Sequence, residues 1–257
     1  MGFYFRHLQT GDSVLIDADT RVHAASMMKV PVMIQLFRDA EAGLLSLDDG
    51  MTITRTFTSI VDGSSYQLSA PDDSDSTLYA RAGDRETIRQ LTELMITVSS
   101  NLATNMLIEK VSAERVQQTM RELGADSIEV LRGVEDIKAY RSGLNNTTTA
   151  RDLGVIFGAI AERAAATPTS CDTMISILAR QEFNEGIPAG LPASTRVAHK
   201  TGSITEIRHD GGVVYLDDGT SYVLVVLARG IQDHDVADQL IADLSSIVYR
   251  YVTGSSR

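Results

Sequence analysis

Apolar and polar residues alternate with a period of two at the start of the chain and with a helical period soon afterwards. The alternation predicts strands over residues 2–7 and 13–18, separated by a turn around Gly11. A helical pattern then runs from residue 26 to about residue 42 and stops at Gly43, a typical C-terminal signal. The first fifth of the chain is therefore predicted to form two strands followed by a helix.

The middle of the chain is predicted to be mainly helical. Residues 50–84 are rich in turn signals, and residues 87–123 then carry three helical patterns. Residues 132–146 show no periodic pattern. An irregular stretch of this length inside a compact domain indicates a compact functional loop. Helical patterns resume near residue 149 and again over residues 168–179.

The last third returns to strands and closes with a helix. Strands are predicted over residues 197–200, 211–216 and 222–228, and an amphipathic helix over residues 235–251. With strands at both ends of the chain and helices between them, the predicted class is α+β. We expect an antiparallel sheet built from both termini and flanked by helices, with an inserted all-helical lobe.

The boundaries of these two parts follow from the same pattern. We predict an α/β lobe from residues 1–45 and 185–257 and an all-helical lobe from residues 46–184. The two lobes would form one structural unit, with the functional site in the cleft between them.

Charge and composition exclude several function classes. The net charge of −11 disfavours a nucleic-acid partner, and an anionic substrate would need local cations to hold it. The histidines and the single cysteine, Cys171, have no metal-ligand spacing, so we expect no metal and no cofactor. No apolar stretch reaches membrane-spanning length. We expect a monomer that acts on a small molecule.

The cellular location stays open from the sequence. No signal-peptide pattern is present, so we expect a soluble protein. It would be secreted or periplasmic if a leader had been removed, and cytoplasmic otherwise.

Three short motifs carry the candidate chemistry. Ser26 and Lys29 lie three positions apart in a predicted helix, where they share a face, so the amine can serve as base for the hydroxyl. Further along the chain come the motifs Ser99-Ser100-Asn101 and Lys200-Thr201-Gly202. They would add a second hydroxyl, an amide and a second cation to the same cleft.

Each motif alone has a simpler explanation. The first could be a surface helix with Ser26 as its N-cap, the second a polar helix junction, and the third a strand that ends in a turn. Their joint occurrence in this order, each at the boundary of a predicted element, favours the functional interpretation.

In these motifs the chain resembles the penicillin-recognising serine hydrolases, and most closely their class A β-lactamase-like branch. The resemblance implies a β-lactamase/transpeptidase-like fold and antibiotic resistance as a biological role. It implies that Ser26 attacks a carbonyl carbon and that Lys29 takes the proton. Ser99 would pass a proton to the leaving nitrogen, and Asn101 would hold a substrate amide.

The same resemblance assigns the anion-binding groups. Lys200, Thr201 and Arg208 would bind the substrate carboxylate, for which the arginine fork is well suited. The backbone N–H groups of Ser26 and Ser203 would form the oxyanion hole.

The irregular loop departs from the family pattern. Hydrolytic members carry a glutamate two residues after an arginine, with an asparagine four residues beyond, and these position the water that clears the acyl-enzyme. Here Glu135 stands three residues after Arg132, Ala139 lies four beyond it, and Asp136 offers a second carboxylate. Either Glu135 still reaches the site, or deacylation is slow or done differently. Ser100 also replaces a usual aspartate, which threatens the stability of the site more than its chemistry.

Three hypotheses about the function therefore remain open. The first is a β-lactamase that opens β-lactam amides through an ester on Ser26. The alternatives are an esterase or D-Ala-D-Ala peptidase-like hydrolase, and a β-lactam sensor that is acylated without turnover.

We interpret His199 as structural, His209 and Asp210 as a hydrogen-bonded pair that braces the sheet, and Cys171 as a small packing residue.

Overall fold

The computed structural model describes residues 1–254. The strands are β1 (Gly2–His7), β2 (Ser13–Ile16), β3 (Val22–His23), β4 (Gly50–Thr52), β5 (Thr56–Thr58), β6 (Ser65–Gln67), β7 (Arg85–Thr87), β8 (Thr147–Thr148), β9 (Arg196–Ile204), β10 (Ile207–Tyr215) and β11 (Ser221–Arg229). The helices are α1 (Lys29–Glu41), α2 (Ile88–Thr97), α3 (Asn101–Val111), α4 (Ala113–Glu122), α5 (Ile137–Arg141), α6 (Ala150–Ala161), α7 (Pro168–Leu178) and α8 (His234–Thr253).

Strands from the two ends of the chain form one antiparallel sheet. Its order is β2-β1-β11-β10-β9, so the first strand pairs with the last one, with Gly2 opposite Leu227. Strand β11 is buried along nearly its whole length because both of its faces are covered, which explains its unbroken apolar sequence. The predicted sheet built from both termini is confirmed.

Helices cover both faces of this sheet. Helix α8 and the 3-10 turn Ile187–Gly190 close one face over a small core that includes Phe5 and Tyr222. Helix α6 packs on the other face, against β1, β10 and β11. That side continues into the larger core around α1, which is buried nearly all round because neighbouring helices enclose it.

The segment of the chain between β2 and β9 contains most of the helices, as predicted. It also contains several short strand pairs. The turn-rich segment contains the pairs β4–β7 and β5–β6, and β3 pairs with β8. The irregular loop contains the short helix α5. The division into lobes at residues 45 and 185 stays a prediction. Within residues 1–254, no helix is both long and apolar enough to cross a membrane.

One difference from the predicted elements bears on the site. Strand β9 was expected to end at Lys200 but continues to Ile204, so the Lys200-Thr201-Gly202 motif lies inside a strand. The reason is a tight hairpin in which Ile204 faces Ile207 and Glu206 adopts a φ of 58°. Hairpin turns of this kind usually contain glycine or asparagine, and their absence hid the turn.

Candidate active site

Ser26 lies where two cavities meet. It belongs to a 3-10 turn, Ala25–Met28, that leads into α1 and is anchored by the buried side chains of Met27 and Met28. The first cavity has a volume of about 280 Å³ and also contains Thr201 and Arg208. The second has a volume of about 460 Å³ and borders the irregular loop. Ser26 thus stands on a rigid support with open space on both sides.

Gly202 lets the edge strand approach this turn. A Cβ atom at position 202 would lie 3.2 Å from Met27 Cγ and 3.3 Å from the Ala25 Cβ. Both distances are shorter than most Cβ contacts in proteins, so a larger residue here would push the strand and the turn apart by a few tenths of an ångström. The third motif therefore lies directly beside the first.

Lys29 is completely buried and points at the junction between α2 and α3. Its Nζ donates to the Ser99 carbonyl oxygen at 2.6 Å, to Ser99 Oγ at 3.1 Å and to Asn101 Oδ1 at 2.9 Å. Burial lowers the pKa of Lys29 to about 7, against the opposing effect of the Asp73 and Glu135 carboxylates. Ser26 is not among its hydrogen-bond partners, so the direct contact between Ser26 and Lys29 stays a prediction.

Lys200 reaches the same hydroxyl from the sheet. It too is completely buried, and its Nζ donates to Ser99 Oγ at 3.0 Å and to the Thr201 carbonyl oxygen at 2.8 Å. Burial and the nearby Lys29 lower the pKa of Lys200 well below its ordinary value. Two amines with depressed pKa values therefore converge on Ser99.

The junction that carries Ser99 is held by groups from a distant loop. Ser99 has a φ of 57°, a backbone conformation that residues other than glycine rarely adopt. Ser100 caps α3 through its Oγ, and the Asp73 carboxylate accepts from the backbone N–H groups of Asn101 at 2.8 Å and Leu102 at 2.9 Å. Asp73 thus supplies a carboxylate brace at a helix start where Ser100 stands in place of the family's aspartate.

Arg208 lines the first cavity but is already paired. Its Nε donates to Asp238 Oδ1 at 2.8 Å, and its second bond goes to the other oxygen of the same carboxylate. This pairing raises the pKa of Arg208. Thr201 also lines this cavity, and Ser203 lines both cavities. Part of the Arg208 guanidinium is therefore occupied, and its role in binding the substrate carboxylate stays a prediction.

The irregular loop is closed at its base by Arg132 and Asn146. Asn146 Oδ1 accepts from the backbone N–H of Leu131 at 2.9 Å, and Arg132 Nε donates to the Leu144 carbonyl oxygen at 2.8 Å. The Asn146 carbonyl oxygen also accepts from Ala24 N at 2.9 Å, which ties the loop to the turn that carries Ser26. Asn146 does not match the family's loop asparagine in sequence position, and its structural role was missed.

Glu135 lines the second cavity together with Ser26 and Asn101. Its φ of 60° is unusual for a bulky residue and costs of the order of 1 kcal/mol. Desolvation raises the pKa of Glu135, and the carboxylates of Asp72 and Asp73 add to this effect. A carboxylate with raised proton affinity therefore faces the same cavity as Ser26.

Asp136 does not act as a second free carboxylate. It is buried, and its oxygens accept from Ser59 Oγ at 2.9 Å, Ile60 N at 3.1 Å and Ala139 N at 3.0 Å. With this many bonds it holds the loop to the neighbouring segment and has a structural role.

The predicted pair of His209 and Asp210 is wrong. Adjacent strand residues point to opposite faces, so the Asp210 carboxylate instead meets His199 Nδ1 at 2.8 Å across the β9–β10 ladder. His209 lies against the His23 carbonyl oxygen at 3.1 Å. His199 is buried in this pairing, and Cys171 is buried as well.

The second cavity contains residues that the sequence did not single out. His23, Tyr140 and Ile204 also line it, and the rings of His23 and Tyr140 are arranged edge to face with their centroids 6.4 Å apart. Burial and the nearby Arg132 lower the pKa of His23, so its ring is neutral near pH 7. No sequence pattern linked these three positions, because they come from separate segments.

A sequence profile described as the β-lactamase enzyme family matches residues 1–252. The chain belongs to this family. A β-lactamase of Streptomyces lavendulae is 26% identical to it, with 96% of this chain and 80% of that protein aligned. The chain is therefore a serine hydrolase of the β-lactamase type, an enzyme class that works through an acyl-enzyme.

Solved structures support the same fold. A β-lactamase of Sphaerobacter thermophilus superimposes with a TM-score of 0.84 at 25% identity, over 100% of this chain and 92% of that one. A leucine-to-glutamate mutant of PBP-A, solved as its acyl-enzyme complex with penicillin G, superimposes with a TM-score of 0.83 at 27% identity, over 99% and 90%. The predicted family and fold are confirmed.

Proposed function

We propose that Ser26 is the nucleophile of this β-lactamase-type enzyme and that it opens the β-lactam amide as a class A enzyme does. The observation that supports this assignment most is the convergence of Lys29 and Lys200 on the Ser99 hydroxyl, in a cleft lined by Ser26. An activated hydroxyl needs a neutral base nearby, and a lysine with a pKa of about 7 is half neutral at physiological pH.

The groups in this cleft can carry out every proton transfer that acylation requires. Ser26 Oγ attacks the lactam carbonyl carbon, and its proton passes to the neutral Lys29 amine. The C–N bond of the lactam then breaks, and the leaving nitrogen takes the Ser99 hydroxyl proton. Ser99 regains a proton from the Lys29 ammonium, along the 3.1 Å contact between Lys29 Nζ and Ser99 Oγ. The lysine ends the step neutral, and Ser26 carries the ester.

Binding of the substrate is assigned to groups on both sides of Ser26. The N–H groups of Ser26 and Ser203 would stabilise the developing oxyanion. Lys200, Thr201 and the unpaired part of Arg208 would hold the substrate carboxylate, and Asn101 would hold its amide. All of these residues come from one chain, so we propose that a monomer is active.

The candidate functions differ in how fast the ester on Ser26 is hydrolysed. Glu135 is the carboxylate on the loop side of Ser26 that could activate a water, and its raised pKa suits a general base. Glu135 stands three residues after Arg132, one position later than the glutamate of the family's hydrolytic members. This departure supports, as a second candidate, a protein that is acylated and releases the product slowly, as a sensor or a D-Ala-D-Ala peptidase-like hydrolase would.

One mixing experiment tests the assignment. A chromogenic cephalosporin is added to the protein, and absorbance is followed together with intact mass. Continuous colour with a transient adduct supports turnover, and a single burst with a persistent adduct supports the second candidate. Ester cleavage with neither signal would support an esterase.

The nucleophile is tested with two serine variants. Ser26→Ala should abolish both adduct and turnover, whereas Ser194→Ala, an exposed serine outside both cavities, should change neither. Unchanged activity in Ser26→Ala would show that the nucleophile is another residue.

We also propose that the protein confers β-lactam resistance. Resistance requires that the ester be cleared many times, so it depends on deacylation more than on acylation. The minimum inhibitory concentration of a penicillin, measured in a sensitive host that exports the protein, tests this. It should rise with the wild type and not with Ser26→Ala.

A further inference from the structure

Asp72 is the carboxylate that lines both cavities at Ser26. It stands at the end of the 3-10 turn Ala70–Asp72, at the rim of the cleft, and borders the first cavity with Ser99 and the second with Glu135. A substrate group that extends from Ser26 into either cavity therefore enters a space that this carboxylate borders.

The position of Asp72 is fixed from both sides. Ser69 Oγ donates to its carboxylate, and the next residue, Asp73, is bonded to the start of α3 and to the Tyr79 hydroxyl at 2.8 Å. Two residues further on, Ser74 Oγ donates to the Val98 carbonyl oxygen at 2.7 Å. These bonds place the exposed carboxylate of Asp72 beside the cleft.

Most other charges around the first cavity are compensated within the protein. Arg208 neutralises Asp238 and lies near Glu185, and Asp210 is engaged by His199 and by the Ile187 N–H at 2.8 Å. Lys200 Nζ is buried and bonded to Ser99 Oγ and the Thr201 carbonyl oxygen, and Lys200 borders neither cavity. It therefore forms no ion pair with the carboxylate at the rim.

In the second cavity, too, Asp72 is bonded to neither of the basic side chains that line it, Arg132 and His23. The Arg132 guanidinium remains charged but donates to carbonyl oxygens of its own loop, and burial lowers the pKa of His23. Asp72 and Glu135 both border this space, and the charge of Asp72 is one of the causes that raise the pKa of Glu135. Among the described residues Asp72 forms no ion pair, and a positive charge placed there would be attracted by both carboxylates.

We propose that Asp72 makes this site selective for acyl donors that carry an ammonium group on the acyl side chain. The proposal rests on the proposed function, because it assumes that the acyl group is transferred to Ser26. The chemical class is a β-lactam, or a related amide, with a carboxylate on one side of the scissile bond and a protonated amine on the other.

Three penicillins that share one skeleton test the charge alone. Penicillin G, ampicillin and carbenicillin carry the same phenylacetyl group with hydrogen, ammonium or carboxylate at its α carbon. Their second-order rate constants for acylating Ser26 are measured by intact mass at pH 6, where an α-amino group is protonated. We expect ampicillin to react about threefold faster than penicillin G and carbenicillin about threefold slower, the range of a solvent-exposed charge pair.

Asp72→Asn assigns the effect to one residue. In this variant the ratio of the ampicillin rate to the penicillin G rate should fall to about one. Asp217→Asn is the matched control, since Asp217 is exposed in the β10–β11 turn and borders neither cavity. Its ratio should equal that of the wild type.

Ionic strength gives a readout that does not depend on a variant. Sodium chloride screens exposed charges, so the wild-type ratio should shrink between 50 mM and 500 mM salt. A wild-type ratio of one at low salt, or a ratio that persists in Asp72→Asn, would overturn the proposal. If none of the three compounds forms an adduct on Ser26, the proposed function itself fails.

Discussion

The side-chain amide of Asn105 binds the backbone of Val134 at two points. The Val134 N–H donates to Asn105 Oδ1 at 2.6 Å, and Asn105 Nδ2 donates to the Val134 carbonyl oxygen at 2.9 Å. A Cβ at Gly133 would lie 2.4 Å from the same Oδ1, so glycine is needed for this approach. The arrangement fixes the loop one residue before Glu135 and thereby decides where the Glu135 carboxylate can reach.

Asn105→Ala should loosen the loop. It removes both bonds to Val134 and one to the Tyr66 hydroxyl, which should lower the free energy of unfolding by about 2 kcal/mol. Deacylation should slow more than acylation, because the loop carries Glu135 and neither of the two lysines. Gln117 is the matched control, since its amide binds Ile128 O and Val130 N in the same way, outside both cavities. If Gln117→Ala slowed deacylation equally, general destabilisation would explain the result.

The acylation rate should rise with pH through about 7. Lys29 must be neutral to accept the Ser26 proton, and burial lowers its pKa to about 7. The neutral form therefore grows as pH rises from 5 to 8, and the rate should follow it. Rapid-mixing kinetics with a chromogenic cephalosporin measure this profile.

Lys29→Arg should remove that rise and lower the rate by about a hundredfold or more, because a guanidinium does not deprotonate in this range. A flat wild-type profile, or an unchanged one in Lys29→Arg, would remove Lys29 from the role of base.

Glu135→Gln should trap the adduct if this carboxylate activates the deacylating water. The amide keeps the size of the side chain but cannot take a proton, so the ester on Ser26 should persist about a hundredfold longer or more. The lifetime of the adduct by intact mass is the measurement, and Glu182→Gln, an exposed glutamate outside both cavities, is the control. Normal turnover in Glu135→Gln would exclude Glu135 as this base.

Asp238→Asn should strengthen capture of the substrate carboxylate. The Asp238 carboxylate now occupies two donors of the Arg208 fork, and its removal frees them for the substrate. We expect the second-order acylation rate with penicillin G to rise about threefold, the range of a modest charge-assisted bond. Asp172→Asn breaks a similar pair with Arg163 outside the cavities and should leave the rate unchanged. A slower reaction with unchanged thermal stability would mean that Asp238 orients Arg208 usefully.

The local elements and the family could be predicted from the sequence. Period-two and helical patterns placed the sheet strands and the main helices within a few residues, because each pattern reflects which face of an element is buried. The three motifs indicated the family because their residue types and order along the chain are specific. The extent of β9 could not be predicted, since its hairpin turn has Glu206 at a φ of 58° and no glycine.

The long-range partners were decided by the tertiary structure. Alternating side-chain direction sends Asp210 to His199, and the packing of distant segments brings Asp238 to Arg208, Asp73 to the start of α3 and Asn105 to Val134. The sequence determined which groups this protein has and in which elements they stand. Which of them are free to act depended on contacts between residues far apart along the chain, and no local pattern encodes those contacts.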